Sequence, residues 1–306
     1  MILKLKSVTK DYIWGGTRLR DEYGKKGDSQ RLAESWELSC HPDGMSLIDG
    51  GEYDGITLRE YVEKFPETVG EKCRGEIPVL IKLIDAKDNL SIQVHPDNEY
   101  ARKYEGDNGK TEMWYIVDCD EDSSIIYGFK ENLSKEDFRC AIDENTLLQK
   151  VNTVPVKKGD VFLIRAGTLH AIGKGCLIAE IQQCSNVTYR VYDYDRRDDN
   201  GNPRELHTEK ALDVTDCGKM VLPNGGIQGN TLVECEYFRV YKENISGNGN
   251  VHTAEDSFAH VLVLEGSGEI ISRDETYNLK KGDSFFVTAG TQWHIKGNCS
   301  IIYTVV

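Results

Sequence analysis

The sequence contains no long apolar run. No stretch approaches the roughly 18 consecutive apolar residues that a membrane-spanning helix requires, and the first six residues, which include Lys4 and Lys6, lack the apolar segment of a secretory signal. We therefore predict a cytoplasmic protein that does not have a membrane as a partner.

The nine cysteines include no CxxC pair, and their number is odd. They are scattered over 306 residues, whereas a disulfide framework is typical of short secreted chains with an even set of cysteines. The sequence therefore predicts reduced thiols and no disulfide scaffold.

Positive charge is scarce. The chain has 37 Lys and Arg against 51 Asp and Glu, which gives a formal net charge of -14. Such a surface repels the phosphates of nucleic acid, so we expect a small-molecule or protein partner instead. If the substrate is itself an anion, a few basic residues inside the site have to attract it locally.

Short apolar runs rich in β-branched residues recur between the 29 glycines. This pattern is typical of a β-sandwich or a β-barrel. The clearest runs are residues 79–84, 90–94, 114–117, 161–164, 258–264 and 300–306.

Helical periodicity is confined to local segments. Thr57 and Glu60 predict a capping box at the start of one helix, which Pro66 ends, and Ser134 with Asp137 predicts the start of another. We expect these helices to form a small insertion beside the strands rather than the framework of the fold.

An internal repeat is the most informative feature of the chain. Residues 156–170 and 279–293 align without gaps, with KKGD and AGT at the same separation in both. The Gly-Asp turn into an apolar strand, followed by Ala-Gly-Thr, resembles the second conserved motif of cupin barrels, and two copies predict a mainly β fold with two jelly-roll barrels. Because one core seldom serves a chain of this length and turn-forming residues cluster at 216–229, we expect a catalytic domain at 1–218 and a smaller barrel at 219–306.

Residues 90–95 alternate strictly between apolar and polar side chains. One face of the predicted strand therefore carries Ser91, Gln93 and His95. Polar groups inside a barrel need partners, which a bound metal and a substrate would supply. The alternative is that this face lies in solvent.

Glu112 stands at the start of an apolar strand, and His170 ends the first copy of the repeat. With His95 they form a set of two imidazoles and one carboxylate, which is typical of an open catalytic zinc site or of a non-haem iron site. The amide oxygen of Gln93 is a candidate further ligand.

The second copy of the repeat lacks this set. Trp293 takes the place of the histidine that ends the first copy, and strand alternation turns His294 to the opposite face. We therefore expect a metal-free C-terminal barrel whose interior is filled by side chains such as Phe285 and Trp293. His252 and His260 should be ordinary strand or loop histidines.

A carboxylate and a guanidinium follow the first copy of the repeat, at Glu180 and Arg190. Together with a metal they would suit a phosphorylated, polyhydroxyl substrate, because arginine grips phosphate in a fork and a metal polarises neighbouring oxygens. A pair exposed on the surface is the alternative.

The chain resembles the type I mannose-6-phosphate isomerases, especially their short bacterial branch. The resemblance spans about two-thirds of the sequence. It is carried by residues 11–20, 33–39, 90–96, 110–114, 170–180 and 189–196.

This resemblance implies an aldose-ketose isomerase of mannose metabolism. Members interconvert mannose 6-phosphate and fructose 6-phosphate by moving a proton between C1 and C2 through an enediol. One Zn²⁺ per chain would be held by His95, Glu112 and His170, with the Gln93 position adding a ligand in longer members. The sugar-phosphate pocket would be lined by Lys110, Glu180 and Arg190, with Ser91 and Gln93 as further substrate-binding residues.

The chain departs from the family at one position, because many members have Ser-Asp where it has Ser185-Asn186. An amide does not take up a proton at neutral pH, so Glu180 becomes the leading candidate for the base, with Lys110 and zinc-bound water as alternatives. Two rival functions share the ligand set: a cupin dioxygenase with iron and a non-catalytic sugar-binding cupin. Lys110 and Arg190 favour an anionic sugar over an iron-dependent oxidation.

Overall fold

The computed structural model describes residues 1–197, 201–222 and 229–306, which form twenty strands and six α-helices. The strands are β1 (Ile2–Lys6), β2 (Val8–Lys10), β3 (Glu34–Leu38), β4 (Leu47–Ile48), β5 (Val79–Ala86), β6 (Ile92–Val94), β7 (Glu112–Cys119), β8 (Ser124–Phe129), β9 (Val151–Pro155), β10 (Val161–Ile164), β11 (His170–Ile172), β12 (Cys176–Gln183), β13 (Tyr189–Tyr192), β14 (Thr231–Glu234), β15 (Arg239–Asn248), β16 (His252–Thr253), β17 (Ala259–Ser272), β18 (Thr276–Lys280), β19 (Ser284–Val287) and β20 (Gln292–Val305). The helices are α1 (Arg18–Asp21), α2 (Leu58–Lys64), α3 (Asn98–Tyr104), α4 (Lys135–Asp143), α5 (Leu147–Lys150) and α6 (Thr208–Val214).

The predicted mainly β fold is confirmed. The two predicted helices also form, and each begins at its predicted N-cap residue. The Thr57 hydroxyl accepts a hydrogen bond from the backbone of Glu60 at the start of α2, and Ser134 with Asp137 forms the same capping box at the start of α4. No helix among the described residues is long and apolar enough to cross a membrane.

The chain divides into two compact units that interleave along the sequence. The first consists of residues 1–10, 17–83 and the described residues from 229 onward, and the second of residues 11–16 and the described residues from 84 to 222. The division predicted at 218/219 follows the chain linearly, whereas the N-terminal strand β1 pairs with β19, with Ile2 opposite Val287. This pairing places the start of the chain in the same unit as its end. Residues 223–228 of the predicted boundary lie outside the described residues.

The first unit is built on a sheet in the order β14-β15-β20-β17-β19-β1-β4, with β16 on β20 and β18 on β17. Its long strands β17 and β20 pair antiparallel over most of their length. The apolar faces enclose a core that contains Val261, Phe285, Trp293 and Ile301. Phe285 and Trp293 therefore fill the interior, as the sequence predicts.

The second unit contains a five-stranded sheet in the order β13-β6-β11-β8-β9 and a separate antiparallel set in which β7 lies between β10 and β12. Helices α4 and α6 pack on its core through Phe138, Ala141 and Ala211. This core holds the short strands β6 and β11 in place. Those two strands carry candidate site residues.

The two copies of the internal repeat form the same turn. The Asp160 carboxylate accepts a hydrogen bond from the backbone of Lys157 at 2.9 Å, and Asp283 accepts one from Lys280 at 3.0 Å. The glycine before each aspartate has a positive φ, 94° at residue 159 and 87° at residue 282. Only glycine adopts that conformation without strain, so the repeated KKGD motif is a repeated structural element.

Candidate metal centre

Strand register brings the predicted residues of the second unit together. In β11, His170 lies opposite Gln93 of β6, and on the other side of β6 Arg190 of β13 also lies opposite Gln93. Residues directly opposite one another across paired strands point to the same face of the sheet. The imidazole, the amide and the guanidinium therefore share one face.

His95, Glu112 and His170 converge in the interior of this unit. One ligand atom of each lies within 4.8 Å of the other two, and all three residues are buried. The Glu112 carboxylate stands between the rings, with Oε2 at 3.5 Å from His95 Nε2 and Oε1 at 3.4 Å from His170 Nε2. Among the residues that the structure describes, this is the one group of three such side chains able to hold a metal ion.

Backbone carbonyls orient both imidazole rings. His170 Nδ1 lies 2.8 Å from the carbonyl oxygen of Thr168, and His95 Nδ1 lies 2.8 Å from that of Val187. Because a carbonyl only accepts, each Nδ1 carries the proton and each Nε2 presents a lone pair. Burial, the largest cause, lowers the pKa of His170 to about 4, so this ring is neutral and able to bind a metal at neutral pH.

Lys110 places a buried ammonium against the same group. Its Nζ donates to Glu112 Oε2, lies 3.0 Å from His95 Nε2 and stands 4.0 Å from Glu180 Oε1. A buried carboxylate is costly unless a cation accompanies it. Two neutral imidazoles and one carboxylate form a donor set that fits a catalytic zinc ion. The Lys110 ammonium beside Glu112 shows that the same pocket can hold a positive charge.

Glu180 lies on β12 directly opposite Trp114 of β7, whose indole Nε1 donates to Glu180 Oε2 at 2.8 Å. Its neighbour Gln182, which is not among the predicted site residues, is buried and lies opposite Glu112. Gln182 Oε1 has no hydrogen-bond partner among the described residues. Alternation along β12 puts it on the same face as Glu180, and that is the signal that could have identified it.

Arg190 is held at the edge of the group by hydrogen bonds. Its Nε donates to Ser91 Oγ at 3.3 Å and its Nη1 to the carbonyl oxygen of Glu205 at 2.8 Å. Burial, followed by the charge of Arg204, lowers the pKa of Arg190. The guanidinium nevertheless keeps its charge, since the arginine pKa exceeds 12 in water.

Two further arginines, absent from the predicted site, lie near Arg190. Arg196 Nη2 donates to Asp193 Oδ1 at 2.5 Å, and Arg204 Nε donates to Asp193 Oδ2 at 2.7 Å. The charges of Arg196, Arg204 and Asp193 all act on Arg190, so three guanidinium groups lie close together and outnumber the neighbouring carboxylates. This is the local positive charge that an acidic protein needs in order to bind an anion.

The other residues considered in the sequence differ in how near they lie to this group. Gln93 presents its amide nitrogen 3.5 Å from His170 Nε2. Asn186 is exposed, and its backbone N–H donates to Asp107 Oδ2 at 3.2 Å. In the first unit, His260 is buried with its Nε2 2.7 Å from Ser284 Oγ.

Comparisons with known proteins place both parts of the chain in one family. Residues 2–125 match the family described as "Phosphomannose isomerase type I, catalytic domain", and residues 228–306 match "Mannose-6-phosphate isomerase, cupin domain". The second match bears out the predicted cupin fold.

Relatives match over nearly the full length. The chain is 42% identical to the mannose-6-phosphate isomerase of Streptococcus mutans, over 98% of this chain and 96% of that protein. It is 41% identical to the mannose-6-phosphate isomerase ManA of Bacillus subtilis, over 94% of this chain and 93% of that protein. The crystal structure of a Bacillus subtilis mannose 6-phosphate isomerase superposes with a TM-score of 0.92 at 40% identity, over 100% of this chain and 99% of that one.

Proposed function

The chain belongs to the type I phosphomannose isomerase family, and from this membership we propose that it is an enzyme that interconverts mannose 6-phosphate and fructose 6-phosphate with one zinc ion per chain. The observation that carries the proposal is the convergence of His95 Nε2, His170 Nε2 and the Glu112 carboxylate within 4.8 Å of one another. The predicted cytoplasmic location stays a prediction of the sequence.

The ligands of the ion would be His95, Glu112 and His170, with Gln93 as a further candidate. When bound, zinc would polarise the sugar oxygens at C1 and C2 and so acidify the proton on the neighbouring carbon. The rest of the chemistry belongs to the side chains around this set.

Glu180 is proposed to carry the proton between C1 and C2 through an enediol. Its carboxylate is buried, and the Trp114 indole fixes one oxygen while the other lies 4.0 Å from Lys110 Nζ. A positioned carboxylate is a suitable general base. Lys110 remains the alternative base, which would require its neutral amine. When Glu180 is the base, the Lys110 ammonium stabilises negative charge that develops on the sugar oxygens.

Arg190 is proposed to bind the phosphate group, with the neighbouring arginines adding positive charge. Its guanidinium is anchored by Ser91 and by a backbone carbonyl, which leaves the remaining N–H groups for the substrate. Ser91 and Gln93 are proposed to bind sugar hydroxyls, since both are polar and lie beside Arg190 in the sheet.

Replacement of His170 by Ala tests the metal and the activity together. We expect the purified protein to carry about one zinc ion per chain and the variant to lose both the metal and the formation of fructose 6-phosphate in a coupled assay. The matched control is His294→Ala, a histidine of β20 outside the group, which should keep both.

Other results would support other functions. Iron as the bound metal, with oxygen consumption and no isomerisation, would indicate a dioxygenase. Sugar binding without turnover would indicate a binding protein. A His170→Ala variant with full metal content and full activity would contradict the assignment of the ligands.

A further inference from the structure

The first unit contains a cavity of about 450 Å³ that shares no residue with the metal centre. Its walls include Tyr241, His252, Trp293 and Tyr303. Ligand pockets in proteins commonly measure 300–1,000 Å³ and are lined by aromatic side chains with a few polar groups. The cavity therefore has the size and the walls of a small-molecule site.

The aromatic rings form a connected surface. Tyr241 and Tyr303 stack with ring centroids 4.8 Å apart and an interplanar angle of 17°. His252 lies 4.5 Å from Trp293 and 4.7 Å from Tyr303 between ring centroids. The buried Glu243 carboxylate fixes the imidazole, with its Oε2 2.7 Å from His252 Nε2. These rings are held in place before any ligand arrives.

The internal repeat relates the cavity to the metal centre, because a lining residue of the cavity aligns with a residue of the metal centre. Trp293 stands at the end of its copy, where the other copy has His170. In one barrel this position carries an imidazole of the metal centre, and in the other it carries an indole that lines the cavity. The same place in the fold therefore presents two different chemistries to two barrel interiors.

A polar atom without a partner lies in this wall. Trp293 is only 2% exposed, and its indole Nε1 has no hydrogen-bond partner among the described residues. A buried donor left without an acceptor destabilises a fold. The Nε1 atom is itself buried behind the cavity wall, so the NMR signal of its N–H reports on any change in the packing of that wall.

Charged residues of both signs are among those that line the cavity. Lys72 and Arg239 contribute cations, and neither has a carboxylate within 4 Å among the residues that the structure describes. Glu255 and Asp256 contribute carboxylates to the same lining. Sugar hydroxyls donate as well as accept, so a lining of both signs suits a polyhydroxyl ligand better than a simple anion.

We propose that this cavity is a second ligand site, and that it binds a hexopyranose. The C–H face of the sugar ring packs on the partly exposed rings of Tyr241 and Tyr303, behind which Trp293 lies, and its hydroxyls bond to the charged groups of the lining. The inference rests on the cavity alone and holds whatever reaction the metal centre catalyses.

The four tryptophans of the chain provide the test. In the ¹⁵N-labelled full chain each indole N–H gives one NMR signal, and Trp293→Phe identifies the signal of Trp293. Titration with free D-mannose should move that signal to saturation. The Trp114 indole, which bonds to Glu180 at the metal centre, reports separately on sugar bound there.

Three variants locate the effect. Tyr241→Ala should weaken the mannose affinity read from the Trp293 signal about tenfold, because it removes half of the stacked pair. Lys72→Met, an exposed position whose loss leaves the core intact, should weaken it by a smaller factor. His170→Ala should leave it unchanged.

Two outcomes would overturn the proposal. One is a Trp293 signal that does not move up to about 100 mM mannose, a concentration far above the range of specific ligand sites. The other is a movement that tracks Trp114 and disappears in His170→Ala, which would show that the sugar acts from the metal centre. Neither outcome bears on the isomerase assay.

Discussion

At the scale of single residues, Glu180 is the side chain on which the proposed proton transfer depends. It is buried, and the Trp114 indole orients its carboxylate. Because positioned general bases contribute on the order of 10² to 10⁴ in rate, Glu180→Gln should lower turnover by about that factor while zinc stays bound. The amide oxygen of Gln still accepts the indole N–H, so the change removes basicity and keeps the shape.

Turnover and metal content, measured on the same preparation, check this prediction. Reaction in deuterated water adds a second readout, since an enediol path should place solvent deuterium in the sugar and the variant should do so more slowly. Glu121→Gln, at an exposed carboxylate outside the group, is the matched control. Near-normal turnover in Glu180→Gln would exclude Glu180 as the base and direct attention to Lys110.

Arg190 belongs to the same scale, because its guanidinium is the proposed phosphate ligand. Arg190→Ala should raise KM for mannose 6-phosphate about tenfold to a hundredfold, which corresponds to the loss of a charge-assisted hydrogen-bond pair. The effect on free mannose should be much smaller, because that sugar has no phosphate to lose.

The measurement is a comparison of kcat and KM for the two sugars in both proteins. Arg139→Ala removes a partly exposed arginine that pairs with Glu209 at 2.6 Å, and it should change neither constant. Equal losses for phosphorylated and free mannose would mean that Arg190 supports the pocket without binding phosphate.

At the scale of elements, the helix α4 shows how a local signal supports the site. Its Ser134 cap closes the first turn, and Phe138 and Ala141 pack on the core that also contains the β6 residues Ile92 and Val94. Ser134→Ala should therefore cost about 1 kcal/mol of stability, the usual value for loss of an N-cap.

The free energy of unfolding, measured by urea denaturation with a spectroscopic probe in the second unit, checks this prediction. Ser134→Thr keeps a hydroxyl at the cap and should recover most of the lost stability. Because α4 contributes no residue to the metal centre, kcat should stay the same in both variants. A loss far above 1 kcal/mol would mean that the helix start supports more than its own first turn.

Short strands explain why the site was harder to predict than the helices. β6 has three residues and β11 has three, so neither offers a long alternating pattern. Their register, with Gln93 between His170 and Arg190, depends on neighbours that are far away in the sequence. The alternation of residues 90–95 predicted which side chains share a face and left open which way that face points.

At the scale of the whole molecule, buried histidines make stability depend on pH. Burial, followed by the charge of Lys25, lowers the pKa of His260 to about 3, whereas an unfolded histidine titrates near 6.5. The unfolded chain therefore takes up the proton first as pH falls. The stabilisation is complete above pH 6.5 and is lost as pH falls from there towards 3.

When the pH falls from about 7 to about 5, this histidine alone should lower the free energy of unfolding of the first unit by about 2 kcal/mol. His260→Gln keeps a polar partner for Ser284 and cannot titrate. The free energy of unfolding of this variant should therefore fall by about 2 kcal/mol less than that of the wild type over the same pH range. Chemical denaturation of both proteins at the two pH values measures the difference. Parallel losses would show that His260 is protonated in the folded state as well.

The chain alone determined the features that local chemistry controls. The two capping boxes, the repeated KKGD turn with its positive-φ glycines, the alternation of residues 90–95 and the choice of two imidazoles and one carboxylate were all visible in the sequence. The capping boxes, the turns and the alternation depend on neighbours within a few residues, where steric and hydrogen-bonding rules leave few options, whereas the ligand set was indicated by residue type and motif position. The mainly β fold was indicated by the recurrent short apolar runs, and the cupin assignment by the resemblance of the repeat to a cupin motif.

Only the tertiary structure decided which distant segments meet. The pairing of β1 with β19, the position of Gln182 opposite Glu112 and the aromatic cavity around Trp293 join residues that carry no shared pattern in the sequence. Strand pairing is specified by burial and by loop closure over the whole chain. No local rule encodes those quantities, so the two interleaved units appear only in the folded molecule.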